Sequence, residues 1–337
     1  MTTLPLHYQK LIIHQLTGDF RTATRITSQP LELPGAGQVL VRNIYAGVNG
    51  IFDKQLCRQG IRYLTVVPPF DMGIESVGTV AAVGAGVHDF APGDAVATSR
   101  LGSGYREYQL AEPARLTPIR APTPEILTLL PSGVSAMVGL ERIAEMRGGE
   151  TVAVAAAAGG LGHMVVQLAK LAGCHVIGLT GSESKLDLLQ SLGVDRPINY
   201  RREDLHSVLE REYPRGLDIA YDSVGGEIFD VFLDHLAMRG RLIVSGHTSD
   251  FDQPVEAVAA PRIYRKLYWK SASVRAFQNQ AFPEFQADST RRILELYYAG
   301  RMRPVVDPTI FAGLSSVADA VEHLLAGRNA GKVVVRL

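Results

Sequence analysis

Apolar and polar positions fall into two rhythms along the chain, and the change comes near residue 131. Before it, short apolar runs at 38–44, 78–83, 95–98 and 105–110 are separated by Pro34-Gly35, Gly84-Ala85-Gly86 and Pro92-Gly93-Asp94. Short runs between glycine and proline turns predict the strands of a β-rich unit. One helix-like stretch, near 50–58, interrupts them. After Pro131 the runs alternate in kind. Residues 151–156 are small and apolar, and 161–171 carry apolar side chains at helical spacing. Strands are predicted at 175–179, 197–199, 218–221, 241–245 and 273–277, with helices at 184–192 and 226–236. This alternation predicts an α/β class with a parallel sheet and right-handed crossovers. The tail shifts again, with helices at 290–299 and 316–326 before an apolar strand at 332–336. It is expected to rejoin the first unit, which divides the chain into 1–131, 132–279 and 280–337.

Composition narrows the function. With 337 residues, 46% hydrophobic and 20% charged, the chain can bury the cores of two ordinary domains. Lys plus Arg equal Asp plus Glu at 34 each, so no net field draws it to nucleic acid or an anionic membrane. Two basic clusters, Arg262, Arg265, Lys266, Lys270 and Arg291, Arg292, Arg301, Arg303, read as solvated faces. Cys57 and Cys174 cannot build a disulfide framework and fit a reducing compartment. No basic-then-apolar leader opens the sequence, and no run of about 18 apolar residues occurs, so a cytoplasmic protein without a membrane partner is expected.

The candidate chemistry centres on Ala157-Ala158-Gly159-Gly160-Leu161-Gly162. This matches G-x-G-x-x-G with Ala157 in the first place. A strand precedes it, a helix opens inside it, and a second strand follows about a dozen residues later, as a Rossmann turn requires. Missing β-carbons let the backbone approach a pyrophosphate, and the first helix amides bind its charge. The second strand discriminates between coenzymes. An NAD site places an acid at its end, whereas here Thr180 and Gly181 are followed by Ser182 and Lys185, and Tyr200 follows the next strand. A hydroxyl, an ammonium and a phenol suit the 2′-phosphate of NADPH, although Glu183 could turn to the ribose instead. Zinc is not expected. Two cysteines cannot form a four-Cys site, neither lies at ligand spacing from a histidine, and the nine histidines show no H-x-x-x-H or H-x-E arrangement. Cys57 is a candidate thiol and Cys174 reads as a small buried residue.

Together these segments resemble the medium-chain dehydrogenase/reductase superfamily, in its zinc-free quinone oxidoreductase-like branch, over nearly the whole chain. The resemblance is carried by Gly47-Val48-Asn49 with Asp53, Pro69-Phe70-Asp71-Met72-Gly73-Ile74-Glu75, Gly93-Asp94, residues 155–162, Arg196-Pro197-Ile198-Asn199-Tyr200, Ser223-Val224-Gly225-Gly226 and Gly327-Arg328-Asn329-Ala330-Gly331-Lys332. It implies a GroES-like β-rich catalytic domain, a Rossmann doubly wound domain inserted into it, and an active site in the cleft. It also implies that Ser182, Lys185 and Tyr200 hold the 2′-phosphate, with Gly181 beside them. Gly159, Gly160, Leu161 and Gly162 would lie along the pyrophosphate. Ser223, Ser245, Phe277 and Asn329 would contact the ribose and neighbouring parts, and Asn49 and Ser135 would border the nicotinamide. Ile74 stands where zinc-dependent relatives carry a histidine. Ser135 replaces the usual threonine and keeps the hydroxyl. His247 stands where an apolar residue is usual, and the loop 247–255 is expected to shape the substrate pocket.

The implied activity is hydride transfer from NADPH to the C=C bond of an α,β-unsaturated ketone or aldehyde, oxo-prostaglandin-like enones included. Nearby donors, a ribose hydroxyl or a side chain, must stabilise the enolate oxygen. Asn49 and Tyr63 are the candidate catalytic residues, Tyr63 as proton donor or substrate clamp with Tyr105 and His247 as alternates. Quinone reduction by the same coenzyme, and a non-catalytic structural role with NADPH bound, are the alternatives. The expected partner is a small electrophile rather than nucleic acid. The resemblance favours a homodimer, and 273–277 could supply a pairing edge.

Overall fold

The polar opening of the chain folds as a strand, β1 (His7–Ile13), in a computed structural model that describes residues 4–61, 63–250 and 257–337. The short helix α1 (Phe20–Ala23), capped by Asp19 accepting the Thr22 amide, returns the chain to β2 (Thr24–Pro30), antiparallel to β1. Next come β3 (Val39–Gly47), α2 (Gly50–Cys57), β4 (Phe70–Asp71), β5 (Glu75–Val83), β6 (Ala95–Ser99), β7 (Tyr108–Ala111) and β8 (Thr117–Pro118). β3 is the centre of this unit and pairs antiparallel with both β5 and β7. Sequence patterning missed the β1–β2 hairpin because most β2 side chains are polar and solvent-facing.

The next stretch alternates as the pattern predicts. It contains α3 (Val134–Val138), β9 (Thr151–Val154), α4 (Gly162–Leu171), β10 (His175–Thr180), α5 (Leu186–Ser191) and β11 (Arg196–Asn199). α6 (Leu205–Glu212), β12 (Leu217–Asp222), α7 (Gly226–Asp234), β13 (Leu236–Val244), α8 (Tyr264–Tyr268), β14 (Ser273–Ala276) and α9 (Pro283–Tyr298) follow. The six strands form one parallel sheet in the order β11-β10-β9-β12-β13-β14. Val152, Ala153, Val154, Ile177 and Leu179 are fully buried, which is why these strands read as unbroken apolar runs rather than alternations. The order reverses between β9 and β12. Open α/β sheets bind ligands beyond the carboxyl ends of strands at such a switch point. β14 is the outer strand on one side of the sheet.

The chain then runs through β15 (Phe311–Ala312), α10 (Val317–Leu325) and β16 (Val334–Arg336), and β16 pairs antiparallel with β3. Two compact units result: the chain up to Pro131 together with Val305–Leu337, and Ser132–Pro304. The sequence reading began the return at 280. The return starts at Val305 instead, because α9 belongs to the second unit. Its Arg292 makes a two-pronged pair with Glu141 at 2.6 and 2.7 Å, and Ile293 packs over Gly133 at the start of α3. No described helix is long and apolar enough to cross a membrane.

Candidate active site

β9 ends at Val154, and the glycine motif carries the chain into α4. Ala156 makes the bend with φ of 48°. On either side of it, Ala155 donates its amide to Tyr221 O on β12 at 3.0 Å, and Ala157 donates to Leu179 O on β10 at 2.9 Å. The turn is therefore stitched to both neighbouring strands at the switch point. Gly162 rests on the Ala156 carbonyl, and a β-carbon there would lie 2.2 Å from that oxygen. Leu161, at the helix cap, makes no side-chain capping bond, and the first turn of α4 holds no acid. Within this opening turn the His163 amide already donates to Gly159 O at 3.1 Å and the Met164 amide to Leu161 O at 3.0 Å, so an anion such as a pyrophosphate would meet the glycine backbone of the turn and the positive end of the helix.

β10 and β11 end level, with Thr180 opposite Asn199, so the segments after them leave the sheet side by side. Gly181 makes room there for two side chains. A β-carbon on it would lie 2.7 Å from the Tyr200 hydroxyl and 3.1 Å from Arg201 Nε. Ser182 Oγ lies 2.9 Å from Ser184 Oγ, and Lys185 closes the helical turn Glu183–Lys185 that follows. Asn199 Nδ2 donates to Glu183 Oε2 at 2.9 Å and so holds this carboxylate toward β11. Sequence reasoning passed over Arg201. Its only signal was its place next to Tyr200 at a strand end.

The loops after β12 and β13 are tied together. Ser245 donates its amide and its hydroxyl to Asp222 O, at 2.8 and 3.1 Å. The Asp222 carboxylate accepts the Val224 and Gly225 amides at 2.7 and 3.1 Å, and burial raises its pKa. The Ser249 amide donates to Val224 O at 2.8 Å. Ser223 and Ser245 thus stand on adjacent, cross-linked loops, and His247, two residues after Ser245, is exposed. Residues 251–256 of the expected pocket loop lie outside the described residues. Ser135 is half-buried on α3. Phe277 is buried with its ring centre 6.3 Å from that of Phe282.

In the first unit, the neighbouring strands β16, β3 and β5 bring Lys332, Asn49 and Glu75 to one end of the sheet. Lys332 Nζ lies 2.5 Å from Glu75 Oε1 and donates to Asn49 Oδ1 at 2.9 Å, while Asn49 Nδ2 donates to Glu75 Oε1 at 2.6 Å. Gly47 makes this possible, since a β-carbon there would lie 2.3 Å from Glu75 Oε1. Deeper in, Asp53 Oδ2 accepts the Asn49 amide at 3.2 Å and the Tyr105 hydroxyl at 2.6 Å. Tyr63 is 59% exposed, and Asn329 Nδ2 donates to Gly331 O at 2.8 Å. The sequence reading quoted Glu75 and Lys332 within longer motifs and gave neither a role.

Complete burial pushes the Asp53 carboxyl up to about 7, against the opposing pull of Tyr105, the Asn49 amide and Lys332. The folded chain therefore binds this proton more tightly than the unfolded chain does. The associated stability is complete below the ordinary value of 3.8 and is lost as pH rises through about 7. Asp53→Asn should stabilise the protein, and the gain should be larger at about pH 8 than at about pH 5. Thermal melts at both values check this, and a gain independent of pH would refute it.

Comparison with known proteins follows the same division. Residues 35–121 match the alcohol dehydrogenase GroES-like domain, and residues 160–290 match the zinc-binding dehydrogenase family. Prostaglandin reductase-3 of Mus musculus is 41% identical over 100% of this chain and 91% of its own length. A probable quinone oxidoreductase of Leishmania amazonensis is 36% identical over 99% of both. A native mycobacterial structure complexed with NADPH superposes with a TM-score of 0.84 at 25% identity, covering 98% of this chain and 100% of the other. The residues do not fit the zinc that the second family description names. Ile74 offers no donor, Glu75 is paired with the Lys332 ammonium, and burial pushes the Cys57 thiol up to about 12, which disfavours the thiolate that zinc needs. They do fit NADP(H), through the uncapped start of α4 and the basic, hydroxylated ends of β10 and β11. The chain is an oxidoreductase. It belongs to the medium-chain dehydrogenase/reductase superfamily, in the branch of prostaglandin reductase-3 and the quinone oxidoreductases.

Proposed function

We propose that this chain reduces the C=C bond of an α,β-unsaturated ketone or aldehyde with NADPH. The observation that carries the reading is the end of the β10–β11 pair. Gly181 accommodates Tyr200 and Arg201, Ser182 and Lys185 follow, and Glu183 is drawn to Asn199. That set suits a phosphate on the ribose rather than a free diol. NADPH, when bound, supplies the hydride. The chain does the rest. The start of α4 takes the pyrophosphate, and Lys185, Tyr200 and Arg201 take the 2′-phosphate. Asn49 offers an N–H to the carbonyl oxygen, on which charge grows. Of the tyrosines considered as proton donors, Tyr105 is fully buried with its hydroxyl on Asp53, which leaves Tyr63.

Purified protein mixed with NADPH and benzylideneacetone should consume NADPH and yield benzylacetone by mass spectrometry, with NADH a poor substitute. Oxidation of NADPH by menadione but by no enone or enal would move the chain to quinone reduction. Tight binding without turnover of any acceptor would make it a binding protein.

A further inference from the structure

Asn49 stands at the N-cap of α2, a position that asparagine favours because its side chain can accept a helix amide. It makes no such bond here. Its carboxamide is drawn aside and held between opposite charges, Lys332 on the oxygen at 2.9 Å and Glu75 on the nitrogen at 2.6 Å. The orientation of the amide has no alternative, because an ammonium has nothing to accept with and a carboxylate nothing to donate. Lys332 and Glu75 are 3% and 1% exposed. A buried ion pair is weak evidence for stability, since desolvation offsets most of its attraction. Something other than stability fits its place here. The backbone of Asn49 is held as well, through its amide on Asp53. One Nδ2 hydrogen is used on Glu75. The amide plane fixes the direction of the other, and Asn49 is the half-exposed member of a cluster in which Lys332, Glu75, Asp53 and Tyr105 are all buried.

We propose that Glu75 and Lys332 are positioning residues: they lock the Asn49 carboxamide so that its second Nδ2 hydrogen donates to the carbonyl oxygen of the substrate. This rests on the enone reading above. A donor that is already oriented does not reorganise as charge develops on the oxygen. The ammonium on Oδ1 also polarises the amide and makes its N–H a stronger donor. Cap geometry would otherwise turn this side chain back toward the helix.

The test replaces the pair by a neutral one of similar shape, Glu75→Gln with Lys332→Met. Thermal melting reports folding, and NADPH titration reports the coenzyme site. With benzylideneacetone, kcat should fall roughly tenfold or more while NADPH affinity stays within about twofold, as expected for a lost transition-state donor. A kcat within about twofold of the native enzyme would overturn the proposal. If the double variant does not fold, Asn49→Ala should give the same loss with the pair intact, and an undiminished kcat there would be equally decisive. The lock also has a readout that needs no turnover. The native Asn49 side-chain amide protons should exchange slowly with solvent and resonate away from free-amide positions, and the double variant should exchange faster and return toward those positions. Spectra unchanged by the double substitution would refute the lock. Slowly exchanging, shifted resonances in a protein that reduces no enone would instead leave the lock standing and remove its assigned substrate.

Discussion

Gly162→Val is expected to abolish NADPH binding while leaving the rest of the parallel sheet folded. The added β-carbon would come within 2.2 Å of the Ala156 carbonyl oxygen, and the obstacle is backbone, which no rotamer change relieves. Ala156 cannot retreat freely. The residues beside it are bonded to Tyr221 O and Leu179 O on the two flanking strands. The start of α4 must therefore move away from the turn, and its amides move with it. Loss of two charge-assisted bonds, at about 1.5–3 kcal/mol each, corresponds to affinity weaker by about 100-fold or more. Equilibrium titration of NADPH fluorescence measures the loss, and circular dichroism checks the fold. An affinity within a few-fold of the native value would mean that the turn does not receive the pyrophosphate.

How much of this was legible before folding depends on where each signal lies along the chain. The α/β alternation could be read because β9 and β10 are covered on both faces and must be apolar throughout. The glycine turn could be read because its constraint is local: the missing β-carbons of Gly159 and Gly162 answer to Ala156 and Ala157, within a few residues. α6 was passed over although its N-cap is textual, Asp204 accepting the Ser207 amide, because eight residues with mixed charge give a weak periodic signal. The boundary at 280 failed for another reason. α9 has the same amphipathic pattern whichever unit it packs on, and its pairing with Glu141 and the packing of Ile293 over Gly133 show which. The clamp on Asn49 was the least legible feature. Lys332 reaches it only after β16 closes on β3, and Glu75 only through the β3–β5 register. In sequence the three residues look like a loop asparagine, a strand acid and a tail lysine.

Coenzyme choice should reverse when the cations at the end of β10 and β11 are removed. Lys185→Ala combined with Arg201→Ala is expected to weaken NADPH about 100-fold while changing NADH affinity by less than about threefold. The asymmetry follows from chemistry. Both coenzymes share the pyrophosphate and nicotinamide, so the α4 turn serves them equally, and only the 2′-phosphate distinguishes them. A doubly charged phosphate beside a guanidinium and an ammonium gains charge-assisted bonds that a ribose hydroxyl cannot. Those side chains stand near the surface, so part of the gain is long-range attraction that salt screens. Native NADPH affinity should therefore fall as ionic strength rises, and the double variant should lose most of that dependence. Tyr200→Phe, added to the pair, removes one neutral donor and should cost less than either cation. Competing titrations of NADPH and NADH at low and high salt separate these contributions. If the double variant keeps its preference for NADPH, or loses NADH to the same degree, the 2′-phosphate is not held at this strand end. Glu183 would then be the group to examine, because it stands at the same strand end, held toward β11 by Asn199 Nδ2.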